Sequence, residues 1–142
     1  MTICACGTAY YAGLVGKYWF EHYARIPVDI DVASEFRYRE VPLEEGGLAI
    51  FISQSGETAD TLASLRYCDA QASRSCRSST SANPRSRASP TSSSRPSGGP
   101  EIGVASTKAF TCQLAVLACL AIAAGRQRGV LERTTSSGWC AR

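Results

Sequence analysis

Histidine is nearly absent from the 142 residues: His22 is the only one. No Ser-His-Asp arrangement can be built around it, and it sits inside an amphipathic helical pattern. The seven cysteines, Cys4, Cys6, Cys68, Cys76, Cys112, Cys119 and Cys140, include no C-x-x-C pair. Ligand spacing therefore argues against a metal site, and no metal or cofactor is expected. Neither G-x-G-x-x-G nor a P-loop lysine motif occurs, which weakens dinucleotide and nucleoside triphosphate readings. The longest apolar run, Leu114 to Ala124, falls short of the ~20 residues that span a bilayer. It predicts a buried core helix and no membrane partner. The start, "MTICACGTAYYAG", lacks the basic-then-apolar order of a secretory signal. Reduced thiols in the cytoplasm are the expectation.

One segment lacks far more. Ser73 to Ser97, "SRSCRSSTSANPRSRASPTSSSRPS", contains no Val, Ile, Leu, Met, Phe, Tyr or Trp. From Ala72 to Ser97 there are five arginines, no lysine and no acidic residue; without those five, the formal charge of +3 becomes −2. A basic nucleic-acid-binding arm would rest on this stretch alone, and no aromatic residue interleaves its arginines. No nucleic-acid partner is expected.

The flanks read as folded α/β protein. "TICAC" is a short apolar strand ended by Gly7. "AYYAGLVGKYWFEHYAR" follows as a helix, with Tyr11, Leu14, Val15, Tyr18 and Trp19 at helical spacing, ended by Ile26 and Pro27. "VDIDVA" alternates like a strand. "SEFRYREVPLEEGG" reads mainly as loop with a short helix. "LAIFIS", Leu48 to Ser53, is a continuous apolar run, as in an interior parallel strand. It enters a turn and a helix whose apolar side is Ala59, Leu62, Ala63 and Leu65. "TKAFTCQLAVLACLAIAAG" is a long helix, apolar nearly all round and so expected to be buried, stopped by Gly125. Strands alternating with helices predict a parallel sheet covered on its faces.

The most informative motif is "FISQSGETADT". Ser53, Ser55 and Thr58 place three hydroxyls around Gly56, where a strand ends and a helix begins. N–H groups at a helix N-terminus are unsatisfied and partly positive, so neighbouring hydroxyls can complete a phosphate cradle without a lysine. Simple capping by Ser55 or Thr58 is the competing explanation, and the two can coexist. Cys6, Gly7 and Thr8 repeat the pattern after the first strand. "GVASTKAF" is a third loop entering a helix, with Ser106 and Thr107 as caps or ligand contacts and Lys108 nearby. Together the three loops predict a pocket for a small phosphorylated polar ligand.

These motifs resemble the sugar isomerase (SIS) domain family, most closely the isomerase half of the glutamine–fructose-6-phosphate aminotransferases. The residues that carry the likeness are "ACGTAYYAGLVGKYWFE", "RIPVDIDVASEFRYRE", "LAIFISQSGETADTLASLRYC" and "GPEIGVASTKAFTCQLAVLACLAIAAGR". The resemblance implies a flavodoxin-like, three-layer α/β fold with a five-stranded parallel sheet that binds a hexose 6-phosphate, such as fructose 6-phosphate or glucosamine 6-phosphate. The phosphate grip would pass to Ser53, Gln54, Ser55 and Thr58, with Cys6, Gly7, Thr8, Val104 and Ser106 completing the pocket. Where the family has serine after "CGT", this chain has Ala9. Family enzymes also carry a glutaminase domain and a second isomerase half that supplies the ring-opening histidine, the Schiff-base lysine and the proton-moving glutamate. None of these is in this chain, so no catalytic residue is assigned and the chain is expected to be inactive alone. A stand-alone regulatory module sensing a sugar phosphate is the alternative. Family enzymes dimerise through the isomerase region, so a homodimer is open to this chain if it folds.

The resemblance also bears on the polar segment. Between "LRYC" and "GPEIG" the family has its fourth and fifth strands, of a length that fits here without a gap. Ser75 to Ser81 can be encoded as TCC TGC CGG TCG TCA ACG TCT. Read with one preceding A, these bases give I-L-P-V-V-N-V, a strand sequence. A displaced reading frame over 72–97, and again after Leu131, accounts for the composition. The expected domain is therefore a single incomplete one over 1–131, with 72–97 disordered and a non-family tail at 132–142. Ordering a chain costs roughly 1–2 kcal/mol per residue for the backbone, which a run of Ser, Arg and Pro cannot offset by apolar burial. Strands four and five are accordingly expected to be lost, leaving "LAIFIS" as an exposed edge.

Overall fold

A computed structural model describes residues 1–43, 46–54, 58–71 and 107–132, together with the backbone of 74–79 and 92–94. The strands are β1 (Thr2–Ala5), β2 (Asp29–Val32), β3 (Leu48–Ser53), β4 (Arg74–Ser79) and β5 (Ser92–Ser94). The helices are α1 (Thr8–Trp19), which continues into a π-helical turn at Phe20–Ala24, then α2 (Ala33–Phe36), α3 (Ala59–Ala70) and α4 (Thr107–Gln127). All strand pairs are parallel, in the order β2-β1-β3-β4-β5. This is the flavodoxin-like order, whose direction of winding reverses between β1 and β3.

Alternation along the strands sorts two cores. Ile3, Ala5, Ile50 and Ile52 pack with Ala9, Ala12, Phe20, Leu117 and Ala121 of the α1–α4 layer. Cys4, Ala49 and Phe51 pack on the other side with Ala33, Phe36, Leu65 and Cys68 of α2 and α3. Period-two side chains on a strand buried from both faces produce this division. Phe36 is fully buried and meets Phe51 and Tyr67 edge to face, with ring centroids 6.5 and 6.1 Å away. An ion pair of 2.7 Å between Arg37 and Asp60 ties α2 to α3 at the surface of this core.

Three expectations are corrected. First, strands four and five are not lost: Arg74–Ser79 pairs with Leu48–Ser53 over six residues, and Cys76–Ser78 pairs with Ser92–Ser94. Parallel pairing uses backbone N–H and C=O groups, which every residue but proline supplies, and neither strand contains proline. β3 therefore has a neighbour on each side. The disorder expected for the rest of 72–97, and the tail from 133, lie outside the described residues.

Second, α4 is not buried all round. Ala109, Gln113, Leu117, Ala121 and Gly125 form one fully buried stripe, while Thr111, Ala115, Cys119 and Ala123 are exposed. With 21 residues and a mean hydropathy of 1.7, it is long and apolar enough to cross a membrane by length and composition. Its buried stripe lies against α1 and the π-helical turn, as a layer helix does. Gly125 does not stop α4, which runs on to Gln127. A methyl group at Gly125 would overlap the Tyr23 carbonyl oxygen and come within 2.9 Å of Leu131 Cδ1, so glycine is needed here for close approach.

Third, two helices bury faces other than those expected. α1 turns small residues, Ala9, Ala12, Gly13 and Gly16, to the protein interior, and leaves Tyr11 and Tyr18 62% and 70% exposed. α3 buries Thr61, Ser64, Leu65 and Cys68, spaced i, i+3, i+4, i+7, and leaves Ala59 exposed. Two hydroxyls thus occupy positions that apolar periodicity assigns to aliphatic residues. Ser64 is accommodated by sharing its one hydroxyl proton between the carbonyl oxygens of Ala33 (3.1 Å) and Asp60 (2.9 Å).

Candidate functional site

A cavity of about 250 Å³ opens at the carboxyl ends of β1 and β3. It lies at the reversal point of the sheet, where the flanking helices diverge and leave a crevice. Cys6, Gly7, Thr8 and Ala9 form one wall, from the end of β1 into the first turn of α1. Gly7 makes that turn with φ +58°, a conformation that side chains with a Cβ rarely adopt. Ile52, Ser53, Gln54 and Thr58 form the facing wall, from β3 to the head of α3.

Six of the expected site residues are therefore brought together: Cys6, Gly7, Thr8, Ser53, Gln54 and Thr58. Ser55, Val104 and Ser106 lie outside the described residues. Ser53 is 4% exposed, and its Oγ lies 3.2 Å from Thr58 Oγ1. Thr58 occupies the N-cap position of α3 yet makes no side-chain cap hydrogen bond. Gly7, at the N-cap of α1, has no side chain to cap with. Two helix N-termini, each carrying partial positive charge, thus head the walls of one crevice without side-chain caps. Lys108 is exposed in the first turn of α4.

Two further polar residues line the cavity, and neither was singled out from the sequence. Gln113, on α4, is 2% exposed, and Thr61, on α3, is 3% exposed. The Thr61 hydroxyl has no hydrogen-bond partner among the described residues. A buried polar group left unmatched costs about 1–3 kcal/mol, so such groups are rare without a compensating role. The available signal was spacing: Thr61 is three residues after Thr58 and so shares its helix face. Among the described residues no group of three or more His, Cys, Asp or Glu side chains is placed to hold a metal ion. The chemistry on offer is hydrogen-bond donation to an anion from hydroxyls, an amide and helix N-termini.

The family model described as the SIS domain matches residues 1–123. The chain is 62% identical over 137 residues to glutamine–fructose-6-phosphate aminotransferase (isomerizing) of Rhizobium meliloti, covering 93% of this chain and 22% of that protein. The Brucella abortus protein of the same name is 61% identical over 137 residues. The chain thus spans about a fifth of the length of the curated relatives it matches. Among solved structures, the C-terminal domain of glucosamine-fructose-6-phosphate aminotransferase from Francisella tularensis superposes with a TM-score of 0.91 at 42% identity, over 97% of this chain and 39% of that one. Glucosamine-6-phosphate deaminase from Thermotoga maritima, at 24% identity and a TM-score of 0.76, shares the fold. The sheet order, the crevice at its reversal point and the family match over residues 1–123 agree: this chain belongs to the SIS domain family.

Proposed function

We propose that the chain binds a hexose 6-phosphate, with the phosphate held between the β1–α1 turn and the β3–α3 turn. The observation that carries this reading is the convergence of Thr8, Ser53, Gln54 and Thr58 on one crevice headed by two helix N-termini without side-chain caps. An anion is favoured there by the helix dipoles and by hydroxyl donors, and no cationic side chain is required. Ser55, Val104 and Ser106 are assigned to the same pocket on the strength of the family motif. Fructose 6-phosphate is the sugar of choice because the aminotransferase relatives are named for it. The reading makes the chain part of an amino-sugar-forming system in the cytoplasm.

These 142 residues are not expected to make glucosamine 6-phosphate by themselves. The crevice offers binding groups, and among the described residues its walls present no histidine, lysine or carboxylate to open the sugar ring or move a proton between carbons. Calorimetric titration of the purified protein with fructose 6-phosphate, and with fructose as control, tests the binding. Saturable binding of the phosphorylated sugar alone is expected; equal affinity for both would sink the reading. Incubation with fructose 6-phosphate and ammonia tests the second point, and any glucosamine 6-phosphate above a protein-free blank would contradict it.

A further inference from the structure

Thr61 sets a problem that the phosphate-binding reading does not by itself resolve. It lies one helical turn inside Thr58 on the same face of α3, and both line the cavity. Thr58 is exposed and its hydroxyl is matched by Ser53, whereas Thr61 is 3% exposed and its hydroxyl has no partner among the described residues. A threonine in the first turns of a helix commonly turns its hydroxyl back to a carbonyl of the preceding turn. Here that arrangement is not taken, so the oxygen keeps its full capacity to donate and accept. Valine has nearly the same shape and would fill the position without an orphaned hydroxyl.

We propose that Thr61 is a ligand-contacting residue whose hydroxyl donates to the phosphate group of the bound sugar phosphate, as the innermost member of the cradle begun by Ser53 and Thr58. The inference rests on the phosphate-binding reading above and extends it to a residue outside the loop motif. Phosphate is the fitting recipient because Thr61 lies in the first turn of α3, where the helix favours negative charge. Its burial means the contact forms away from bulk water, where a charge-assisted hydrogen bond is strongest. In the free protein the unmatched hydroxyl lowers stability; in the complex it contributes to affinity. That opposition of signs separates a ligand contact from a structural hydroxyl.

The test compares wild type, Thr61→Val and Thr61→Ser, using inorganic phosphate and fructose 6-phosphate as ligands. Thr61→Val is expected to keep or raise the Tm of the free protein while weakening both ligands roughly ten- to a hundredfold, the range of a hydrogen bond to a charged group. Thr61→Ser keeps the hydroxyl and is expected to bind within about threefold of wild type, since only a methyl group is lost. A drop in the Tm of free Thr61→Val would overturn the proposal, because it would mean that the hydroxyl already has a partner. Unchanged phosphate affinity in Thr61→Val would overturn it as well, including the case where only fructose 6-phosphate is weakened. If wild type binds neither ligand, the phosphate-binding reading itself fails and takes this inference with it.

Discussion

Ser53, the last residue of β3, and Thr58, at the head of α3, are joined through their side chains, Oγ to Oγ1 at 3.2 Å. The contact spans the turn that the site reading assigns to a phosphate. It holds two hydroxyls side by side at the crevice in place of a cap on α3. Ser53→Ala removes a hydrogen bond of ordinary net worth, about 0.5–1.5 kcal/mol. On the proposed function it also removes a donor to the phosphate. We expect a Tm lowered by a few degrees and fructose 6-phosphate affinity lowered at least tenfold. The two are separated by thermal unfolding with and without ligand; an unchanged ligand-induced shift in Tm would mean that Ser53 does not contact the ligand.

Cys4 and Cys68 titrate far from the ordinary range. Burial pushes the Cys4 thiol up to about 12, with the Ser64 hydroxyl offsetting part of the effect and the Asp31 carboxylate adding to it. Burial, with a smaller effect of Asp69, raises Cys68 to about 11. In the unfolded chain both ionise near 9.0, so above that pH the unfolded state binds fewer protons than the folded one. Stability contributed by these thiols is complete below pH 9 and is lost as pH rises toward 11 and then 12. Urea midpoints measured from pH 8 to 11 should fall steadily, and Cys4→Ala combined with Cys68→Ala should flatten the fall. At pH 8, iodoacetamide should label exposed Cys119 and spare Cys4 and Cys68 until denaturant is added.

Gly125 tests the packing of α4 on the π-helical turn. In a free helix, alanine is favoured over glycine by roughly 1 kcal/mol. Here the added methyl group would overlap the Tyr23 carbonyl oxygen, which as backbone cannot rotate away. Overpacking of this kind costs about 1–3 kcal/mol. Gly125→Ala is expected to lower the Tm, against the propensity trend, whereas Gly129→Ala changes a position with open space but φ +71° and loses stability through backbone strain alone. Equal or higher Tm for Gly125→Ala would show that the helix can shift outward at little cost.

The apolar runs made β1 and β3 legible, because a strand buried on both faces leaves a continuous signature. The turn chemistry of Gly7 and of Ser53–Thr58 made two walls of the crevice legible as well. Helix faces were harder. On α1 the large residues read as core, but a helix lying close to a sheet needs small residues there, so Ala12, Gly13 and Gly16 are inside and Tyr18 is out. On α3, Thr61 and Ser64 carry no apolar signal, since one faces a cavity and the other is matched to carbonyl oxygens that periodicity cannot reveal. β4 has no apolar signature because main-chain pairing with β3, which composition does not reveal, is what places it in the sheet.

The described lining of the crevice comes from the turn after β1, from β3 and the turn that follows it, and from α1, α3 and α4. Beyond β3, main-chain pairing carries the ladder on through β4 and β5, and "RSCRSS" and "SSS" supply it without a single branched aliphatic residue. The sheet thus extends two strands beyond β3 through main-chain pairing, which sets few demands on side-chain identity.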